Sequence, residues 1–260
     1  LPLRVRFLGL EGLEEAGVGE GVAKEFLVDV LKAGFDPEAG LFCTTHDGAL
    51  APDPLAARRR GVHDAESLYA LLGAILAKTL YEGILVELPL APYFLNLLLG
   101  RNNTFNDLPT LDPHLAGSLR WLKRYEGDFE PLSLNFAVDV DTGGGAPRAV
   151  PLVPGGEAIA VTRENRSEFV LRVAHYRLNT QLRRAVSAFA RGFELLVPCQ
   201  WIAMFSPAEL QLILGGSDAP LNVDDWQQNT VYSGGYASSH PSIRAFWGAV
   251  RRFTPQQRTA

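Results

Sequence analysis

Alternating apolar and polar positions predict a series of helices and short strands, and the clearest pattern lies in residues 111–136. Asp112 can accept a hydrogen bond as a helix N-cap, and Pro113 fits the first helical position because its missing N–H is not needed there. After them, apolar and aromatic side chains recur at helical spacing: Leu115, Leu119, Trp121, Leu122 and Tyr125. The pattern therefore predicts a helix that a turn at residues 126–128 ends.

Period-two spacing follows that turn, at Leu132, Leu134 and Phe136, and predicts a strand. Helix, turn and strand then bring leucine, tyrosine and phenylalanine side chains close together within one supersecondary unit. Two interpretations of these side chains stay open at this point. They pack in the core, as most apolar residues of a folded domain do, or they form a groove that binds a partner protein.

The remaining helices are predicted from apolar faces and helix-start signals. Residues 64–81 are apolar almost all round, which predicts the central buried helix. Thr162 is expected to cap a long helix whose apolar face runs to Phe193, and residues 206–209 form a capping box. The other predicted helices cover residues 22–34, 91–99, 207–214, 222–228 and 241–253.

Short strands, turns and a linker account for the rest of the chain. The predicted elements are an opening strand at 3–7, a loop with room for a hairpin at 42–54, a hairpin of 136–140 with 148–153, and a turn at 154–156. Residues 215–220 form the best linker candidate. Residues 254–257 repeat the capping-box pattern and the chain begins at Leu1 without a methionine, so we expect a fragment or a processed form.

Composition narrows the class of protein. With 260 residues, of which 47% are hydrophobic and 20% charged, the chain can bury a core and is long enough for two lobes. The net charge is −5 with scattered cations, which disfavours nucleic acid as a partner. The most apolar run, 68–99, is interrupted by charges and prolines, so no membrane span is predicted.

Candidate chemistry is sparse. The histidines and cysteines lack metal-ligand spacing, and no P-loop or nucleophile elbow is present, so we expect no metal, no cofactor and no active site within this chain. Asp139 and Asp141 are expected to end a hairpin, since the other ligands of a calcium loop are missing. Cys199 is expected to be a small packed residue. Two isolated cysteines, Cys43 and Cys199, suggest a reducing compartment.

Several segments, spread in order over nearly the whole chain, resemble the HECT family of ubiquitin-protein ligases. They are residues 70–101, 122–136 with the sequence LKRYEGDFEPLSLNF, 152–169 with LVPGGEAIAVTRENRSEF, and 229–247 with NTVYSGGYASSHPSIRAFW. The resemblance implies an α+β, predominantly helical fold with a larger N-terminal lobe that carries small β-hairpins, at 1–214. It also implies a hinge at 215–220, with Gly215, Gly216 and Ser217, and an incomplete smaller C-terminal lobe at 221–260.

The resemblance also implies a function. In this family the larger lobe binds a ubiquitin-conjugating enzyme, and a cysteine of the smaller lobe accepts ubiquitin as a thioester and passes it to substrate lysines. The Thr-Cys motif of that cysteine does not occur here, so the chain is expected to be inactive alone, with catalysis assigned to neither Cys43 nor Cys199. The expected partners are the conjugating enzyme, ubiquitin and protein substrates. The expected location is intracellular, in the cytoplasm and also in the nucleus. An alternative is a non-catalytic helical module that competes for conjugating enzymes.

The family's docking groove for the conjugating enzyme maps onto the stretch described first. By the resemblance it uses five side chains: Leu115, Leu119, Tyr125, Leu132 and Phe169. A shallow apolar groove of this kind can take an aromatic side chain from a partner loop. The opposite side of the helix is then expected to pack in the core through Trp121 and Leu122.

Overall fold

The chain divides into two compact units, Leu1–Gly216 and Ser217–Ala260. The computed structural model describes residues 5, 20–58, 64–143, 145–216 and 222–254. Within these residues, helices predominate and the strands form small antiparallel pairs, so the fold is α+β and mainly helical, as predicted. The predicted opening strand at 3–7 lies outside the described residues except for Val5, and so does the capping box at 254–257 except for Thr254.

The described helices of the first unit agree with most of the predicted ones to within a few residues. They are α1 Glu20–Phe35, α2 Ala65–Tyr81, α3 Pro92–Leu98, α4 Leu108–Leu111, α5 Pro113–Arg124, α6 Arg166–His175, α7 Arg183–Phe193, α8 Cys199–Ile202 and α9 Pro207–Gly215. The capping box before α9 is confirmed, because Ser206 N–H donates to Glu209 Oε2 at 2.7 Å and Glu209 N–H donates to Ser206 Oγ at 3.3 Å. The backbone hydrogen bond from Ser206 also lowers the pKa of Glu209 below its usual value.

The core of the first unit is built around α2 and α7. Two glycines let these helices approach closely: a Cβ on Gly73 would lie 2.0 Å from the carbonyl oxygen of Phe189, and one on Gly192 would lie 1.7 Å from that of Ala70. The prediction of a central buried helix is confirmed for most of α2, whereas Leu71 and Tyr81 are exposed. The helix therefore has one solvent face in spite of its apolar sequence.

Aromatic rings from distant parts of the chain fill this core. Phe35 stacks on Phe42 with 4.0 Å between ring centroids, and Phe94 meets Phe189 edge to face at 5.4 Å. These four side chains are fully buried. Burial of rings of this size contributes much of the apolar area that stabilises a domain.

The segment after Thr162 differs in two respects from the single long helix that the sequence predicts. Thr162 does not cap it, because a turn at 163–165 comes first, in which Asn165 Oδ1 accepts a hydrogen bond from Thr162 N–H at 2.7 Å. The helix then begins at Arg166 and is interrupted by a π-helical turn, Tyr176–Thr180, between α6 and α7. The apolar face predicted to end at Phe193 is buried on both sides of that turn.

A buried amide pair holds the π-helical turn. Asn179 Oδ1 accepts from Asn103 N–H at 2.8 Å, and Asn179 Nδ2 donates to the Asn103 carbonyl at 3.1 Å. The Asn103 side chain in turn donates to the carbonyls of Tyr93 at 2.9 Å and Leu178 at 3.3 Å. The turn is thus fixed to a loop that lies 76 residues earlier in the chain.

Two antiparallel hairpins complete the described part of the first unit. Strand β1 Phe42–Thr44 pairs with β2 Leu50–Pro52, and β3 Ala137–Val140 pairs with β4 Arg148–Pro151. The hairpin of β3 and β4 is confirmed as predicted, and the segment 42–54, predicted as a loop with room for a hairpin, does form one. The turn at 154–156 is also confirmed, since Gly155 has a φ of +68°.

The predicted strand at 132–136 is wrong in its first half. Leu132 ends a 3₁₀ turn, Glu130–Leu132, and Ser133 has a positive φ of +48°. A left-handed φ at Ser133 turns the backbone out of the extended conformation that a regular strand needs. From Leu134 onward the backbone is bonded to 159–161 instead, with Val161 N–H donating to the Leu134 carbonyl at 2.9 Å.

The described part of the second unit holds two helices, α10 Val223–Gln228 and α11 Pro241–Arg252. Val223, Trp247 and Val250 form its small core, and Trp247 Nε1 donates to the Tyr232 hydroxyl at 2.8 Å. Both helices were predicted and are confirmed. Phe246 of α11 is about half exposed, whereas Trp247 beside it is buried.

The predicted hinge remains a prediction. Gly215 is the last residue of α9, and Gly216 follows it with a φ of +82°, which favours glycine. Ser217 lies outside the described residues.

Candidate protein-docking site

The helix of the candidate site begins as the sequence predicts. Asp112 Oδ1 accepts a hydrogen bond from Leu115 N–H at 2.9 Å, and Pro113 is the first residue of α5. The cap supplies one partner for the unpaired N–H groups at the helix start and contributes about 1 kcal/mol. The helix ends at Arg124, so that Tyr125 is already extended.

Four of the five predicted docking residues lie in or against the core of the first unit, and Tyr125 lies outside that cluster. Leu119 and Phe169 are almost fully buried, at 5% and 6% exposure. Leu115, Tyr125 and Leu132 are half-buried, and Leu115 and Leu132 pack against the core cluster. Any groove at this place therefore has Leu119 and Phe169 beneath it, and the half-buried residues are the ones that a partner can contact.

The structure corrects the expected position of Trp121. Leu122 is buried as predicted, but Trp121 is 55% exposed. Leu119 and Leu122 face inward with Ala116, and Trp121 lies two residues after Leu119, which places it about 200° further round the helix. The indole is therefore available to a partner instead of to the core.

Trp121 belongs to a row of three aromatic side chains, which we call the aromatic row: Trp121, Tyr125 and Phe129. The ring centroids of Trp121 and Tyr125 are 4.7 Å apart, and those of Tyr125 and Phe129 are 5.3 Å apart with the rings edge to face. The sequence reasoning did not select Phe129. The repeated spacing of four residues could have indicated it, although the helix ends before it.

Ion pairs fix the backbone of the aromatic row to the start of α6. Arg166 Nη1 donates to the Tyr125 carbonyl at 2.6 Å, and its Nη2 lies 3.1 Å from Glu126 Oε1. Arg163 also pairs with the Glu126 carboxylate and donates to the Glu126 carbonyl at 2.9 Å. Because a guanidinium holds two acceptors in a fixed geometry, the loop after α5 is preorganised in the free protein.

The floor beneath this loop is also rigid. Phe136 and Phe169 meet edge to face with 5.5 Å between centroids. A Cβ on Gly156 would lie 2.2 Å from the Phe136 carbonyl oxygen, so the turn at 154–156 packs directly on this backbone. The site thus combines a packed apolar floor with one exposed ring, Trp121, and two half-buried rings, Tyr125 and Phe129.

The thiol of Cys199 is poorly reactive. Cys199 is half-buried at the start of α8, and burial raises its pKa to about 12, with the neighbouring Glu194 carboxylate adding to the shift. The expected packed role of Cys199 agrees with this position. Among the described residues, no group of histidine, cysteine and carboxylate side chains could hold a metal ion, and no helix is long and apolar enough to cross a membrane.

We expect Cys199 to resist alkylation. At pH 8 its thiolate fraction is small because the pKa is raised to about 12, so iodoacetamide should label it more than about a hundredfold more slowly in the folded protein than in the unfolded chain. Peptide mass spectrometry of samples quenched at several times measures both rates. Raising the pH toward 10 should speed labelling of the folded protein. Equal rates in native buffer and in guanidinium chloride would contradict the burial of this thiol.

The first unit is a mainly helical body with an aromatic row at the end of α5, and comparison with known proteins gives the family of the chain. Residues 28–260 match the model of the HECT-domain (ubiquitin-transferase) family. The chain belongs to this family, as the resemblance of the sequence indicated.

Individual relatives agree with the family. The chain is 41% identical over 98% of its length to E3 ubiquitin-protein ligase UPL6 of Arabidopsis thaliana. It is 38% identical over 99% of its length to probable E3 ubiquitin protein ligase C167.07c of Schizosaccharomyces pombe, and 37% identical over 98% to ubiquitin-protein ligase E3B of Homo sapiens. The aligned part covers 24%, 25% and 24% of these proteins, so the chain spans about a quarter of their length.

Proposed function

We propose that this chain docks a ubiquitin-conjugating enzyme through the aromatic row together with the half-buried side chains of Leu115 and Leu132. The observation that carries the proposal is the exposure of Trp121 on α5. Its ring lies beside that of Tyr125, whose carbonyl accepts a hydrogen bond from Arg166. Aromatic side chains at the centre of an interface supply much of its binding energy. A loop that is ordered before binding loses less entropy on association.

The proposed partner follows from the family. A HECT ligase receives ubiquitin from a conjugating enzyme, so its domain needs a surface that binds this carrier and releases it again. The aromatic row is small, which suits a transient interface at the lower end of the size range. Leu119 and Phe169 support this surface from below, and we assign them no direct contact.

The test compares a half-buried aromatic residue of the row, Tyr125, with an exposed aromatic residue outside it, Trp201. Tyr125→Ala should weaken binding to a conjugating enzyme by roughly tenfold or more, because it removes the middle ring of the row. Trp201→Ala is the matched control, since Trp201 is 65% exposed on α8 and is not part of the row. Isothermal titration of each variant against a panel of conjugating enzymes gives the dissociation constants.

Two outcomes would contradict the proposal: binding that survives Tyr125→Ala unchanged, or an equal loss for Trp201→Ala. Leu119→Asp is a poor test, because a carboxylate at a position with 5% exposure would destabilise the fold itself. Circular dichroism should therefore show that Tyr125→Ala keeps its helical content before the affinities are compared.

We further propose that neither cysteine of this chain accepts ubiquitin. The raised pKa of Cys199 supports this, since thioester exchange requires a thiolate that attacks the carbonyl carbon and displaces the carrier's thiolate. Incubation with a conjugating enzyme charged with ubiquitin should give no adduct on a non-reducing gel. A band that dithiothreitol removes, and that Cys43→Ser or Cys199→Ser abolishes, would overturn this assignment.

A further inference from the structure

A small cavity with two arginines in its lining lies beside the β3–β4 hairpin. Its volume is about 230 Å³, and six residues line it: Arg58, Val140, Thr142, Arg148, Val150 and Tyr176. Three parts of the first unit meet here, namely the 3₁₀ turn Ala56–Arg58, the hairpin, and the π-helical turn. No residue of the aromatic row takes part.

The charges around this cavity are positive. Arg58 and Arg148 are both exposed, and among the residues that the structure describes neither forms a salt bridge. Five other arginines of the described chain are paired with carboxylates, while the rest, like Arg58 and Arg148, form no salt bridge within the described residues: the paired ones are Arg163, Arg166, Arg172, Arg191 and Arg251. In a protein of net charge −5, two guanidinium groups at one small cavity attract an anion.

The surrounding contacts hold the two arginines near each other. A Cβ on Gly143 in the hairpin turn would lie 3.6 Å from the Cβ of Arg58, so the turn packs against the segment that carries this arginine. Arg177 donates to the Asp139 carbonyl at 3.2 Å and so fixes β3 to the π-helical turn. Its Nε is buried without a hydrogen-bond partner among the described residues, which adds positive potential beneath the hairpin.

Among the described residues, no aspartate or glutamate lines the small cavity itself. Asp141 accepts a hydrogen bond from Gly143 N–H at 2.8 Å and is therefore engaged in the hairpin turn. It lines a neighbouring cavity of about 370 Å³, together with Asp53, Glu66 and Arg184. The two cavities share Arg58, Val140 and Tyr176, so they form one continuous depression with a cationic end and an end of mixed charge.

We propose that the cationic end binds the phosphate of a phosphorylated serine or threonine in a protein segment. Two guanidinium groups match the charge of a phosphate dianion, and each can hold two of its oxygens. The residues flanking the phosphate lie in the larger cavity, where Arg184, Glu66 and Asp141 suit a polar chain. An anionic membrane surface fits less well, because Glu66 and Asp141 would face its phosphates.

The experiment uses the whole chain and a phosphoserine tetrapeptide, with the same peptide bearing serine or glutamate as comparisons. Arg58→Gln and Arg148→Gln should each weaken binding of the phosphopeptide by about tenfold, as expected for the loss of one partner of a charge pair at a partly exposed site. Arg183→Gln is the matched control, since Arg183 is exposed on α7 and does not line this cavity. Titration calorimetry gives the affinities, and unchanged melting temperatures show that the variants are folded.

The proposal is supported if the phosphopeptide binds more tightly than both comparison peptides and if this difference is lost only in the Arg58 and Arg148 variants. A glutamate peptide that binds equally well would show a carboxylate site and overturn the assignment to phosphate. An equal loss in Arg183→Gln, or binding of phosphatidylserine vesicles that depends on Arg148 without binding of the peptide, would overturn the proposed ligand. These results leave the docking proposal untouched, because Tyr125 and Trp121 are not involved.

Discussion

Replacing Gly192 by alanine is expected to destabilise the first unit by about 3 kcal/mol, the upper end of the usual cost of overpacking. The added methyl group would lie 1.7 Å from the carbonyl oxygen of Ala70. That oxygen belongs to the backbone of α2, so no side-chain rotation can relieve the clash. Helices α2 and α7 would have to separate, and the close approach of Gly73 to the Phe189 carbonyl would be lost as well.

Gly117→Ala provides the matched control for this prediction. Gly117 also lies inside a helix, α5, but a Cβ there meets nothing within 4 Å. Alanine should therefore stabilise the protein by roughly 0.5–1 kcal/mol, because it restricts the unfolded chain and favours the helix. Urea unfolding followed by circular dichroism measures both variants. A midpoint for Gly192→Ala equal to that of the unchanged protein would show that α2 and α7 are not packed as described.

Local signals in the sequence were sufficient for much of this fold. The cap at Asp112 and the capping box at Ser206 depend on residues within three positions of each other, and both appear with the expected hydrogen bonds. The hairpin around Gly143 is equally local. Such features can be predicted from one sequence because the interacting groups are neighbours in the chain.

Features that depend on distant partners could not be predicted in this way. The interruption between α6 and α7 is held by Asn103, 76 residues before Asn179, and nothing in the helical periodicity indicates it. The exposure of Trp121 follows from the phase of α5 against the core, which Leu119 and Leu122 determine. A large aromatic residue such as tryptophan is usually buried, but the orientation of α5 against the core leaves Trp121 exposed.

The candidate site likewise combines features that the sequence indicates with features that depend on distant contacts. The resemblance to a family selected Leu115, Leu119, Tyr125, Leu132 and Phe169. The structure distinguishes their roles, because two of them are buried beneath the surface and Tyr125 is the centre of an aromatic row. The support from Arg166 depends on a contact across 41 residues, and the spacing of apolar positions carries no information about it.

Replacing Asn179 by leucine is expected to cost about 3 kcal/mol, since two buried backbone groups would each lose a hydrogen bond. Leucine has a similar volume, so the change removes the polar contacts while leaving little empty space. Asn103 N–H and the Asn103 carbonyl would then lack their partners at 2.8 and 3.1 Å in a place without access to water.

Asn135→Leu is the control, because the amide of Asn135 is exposed and bonds only the Glu157 carbonyl in the described structure, at 3.2 Å. Its cost should stay within about 0.5 kcal/mol.

Hydrogen exchange distinguishes this loss from general destabilisation. In the unchanged protein the Asn103 amide should exchange only by opening of the core, because its hydrogen bond is buried. In Asn179→Leu, the π-helical turn loses its fixed attachment to the loop at 103, so the amides of both segments should exchange faster than those of α2. If protection fell equally across α2 and the turn, the amide pair would contribute only to global stability. A selective loss would show that this pair holds the interruption between α6 and α7 in place.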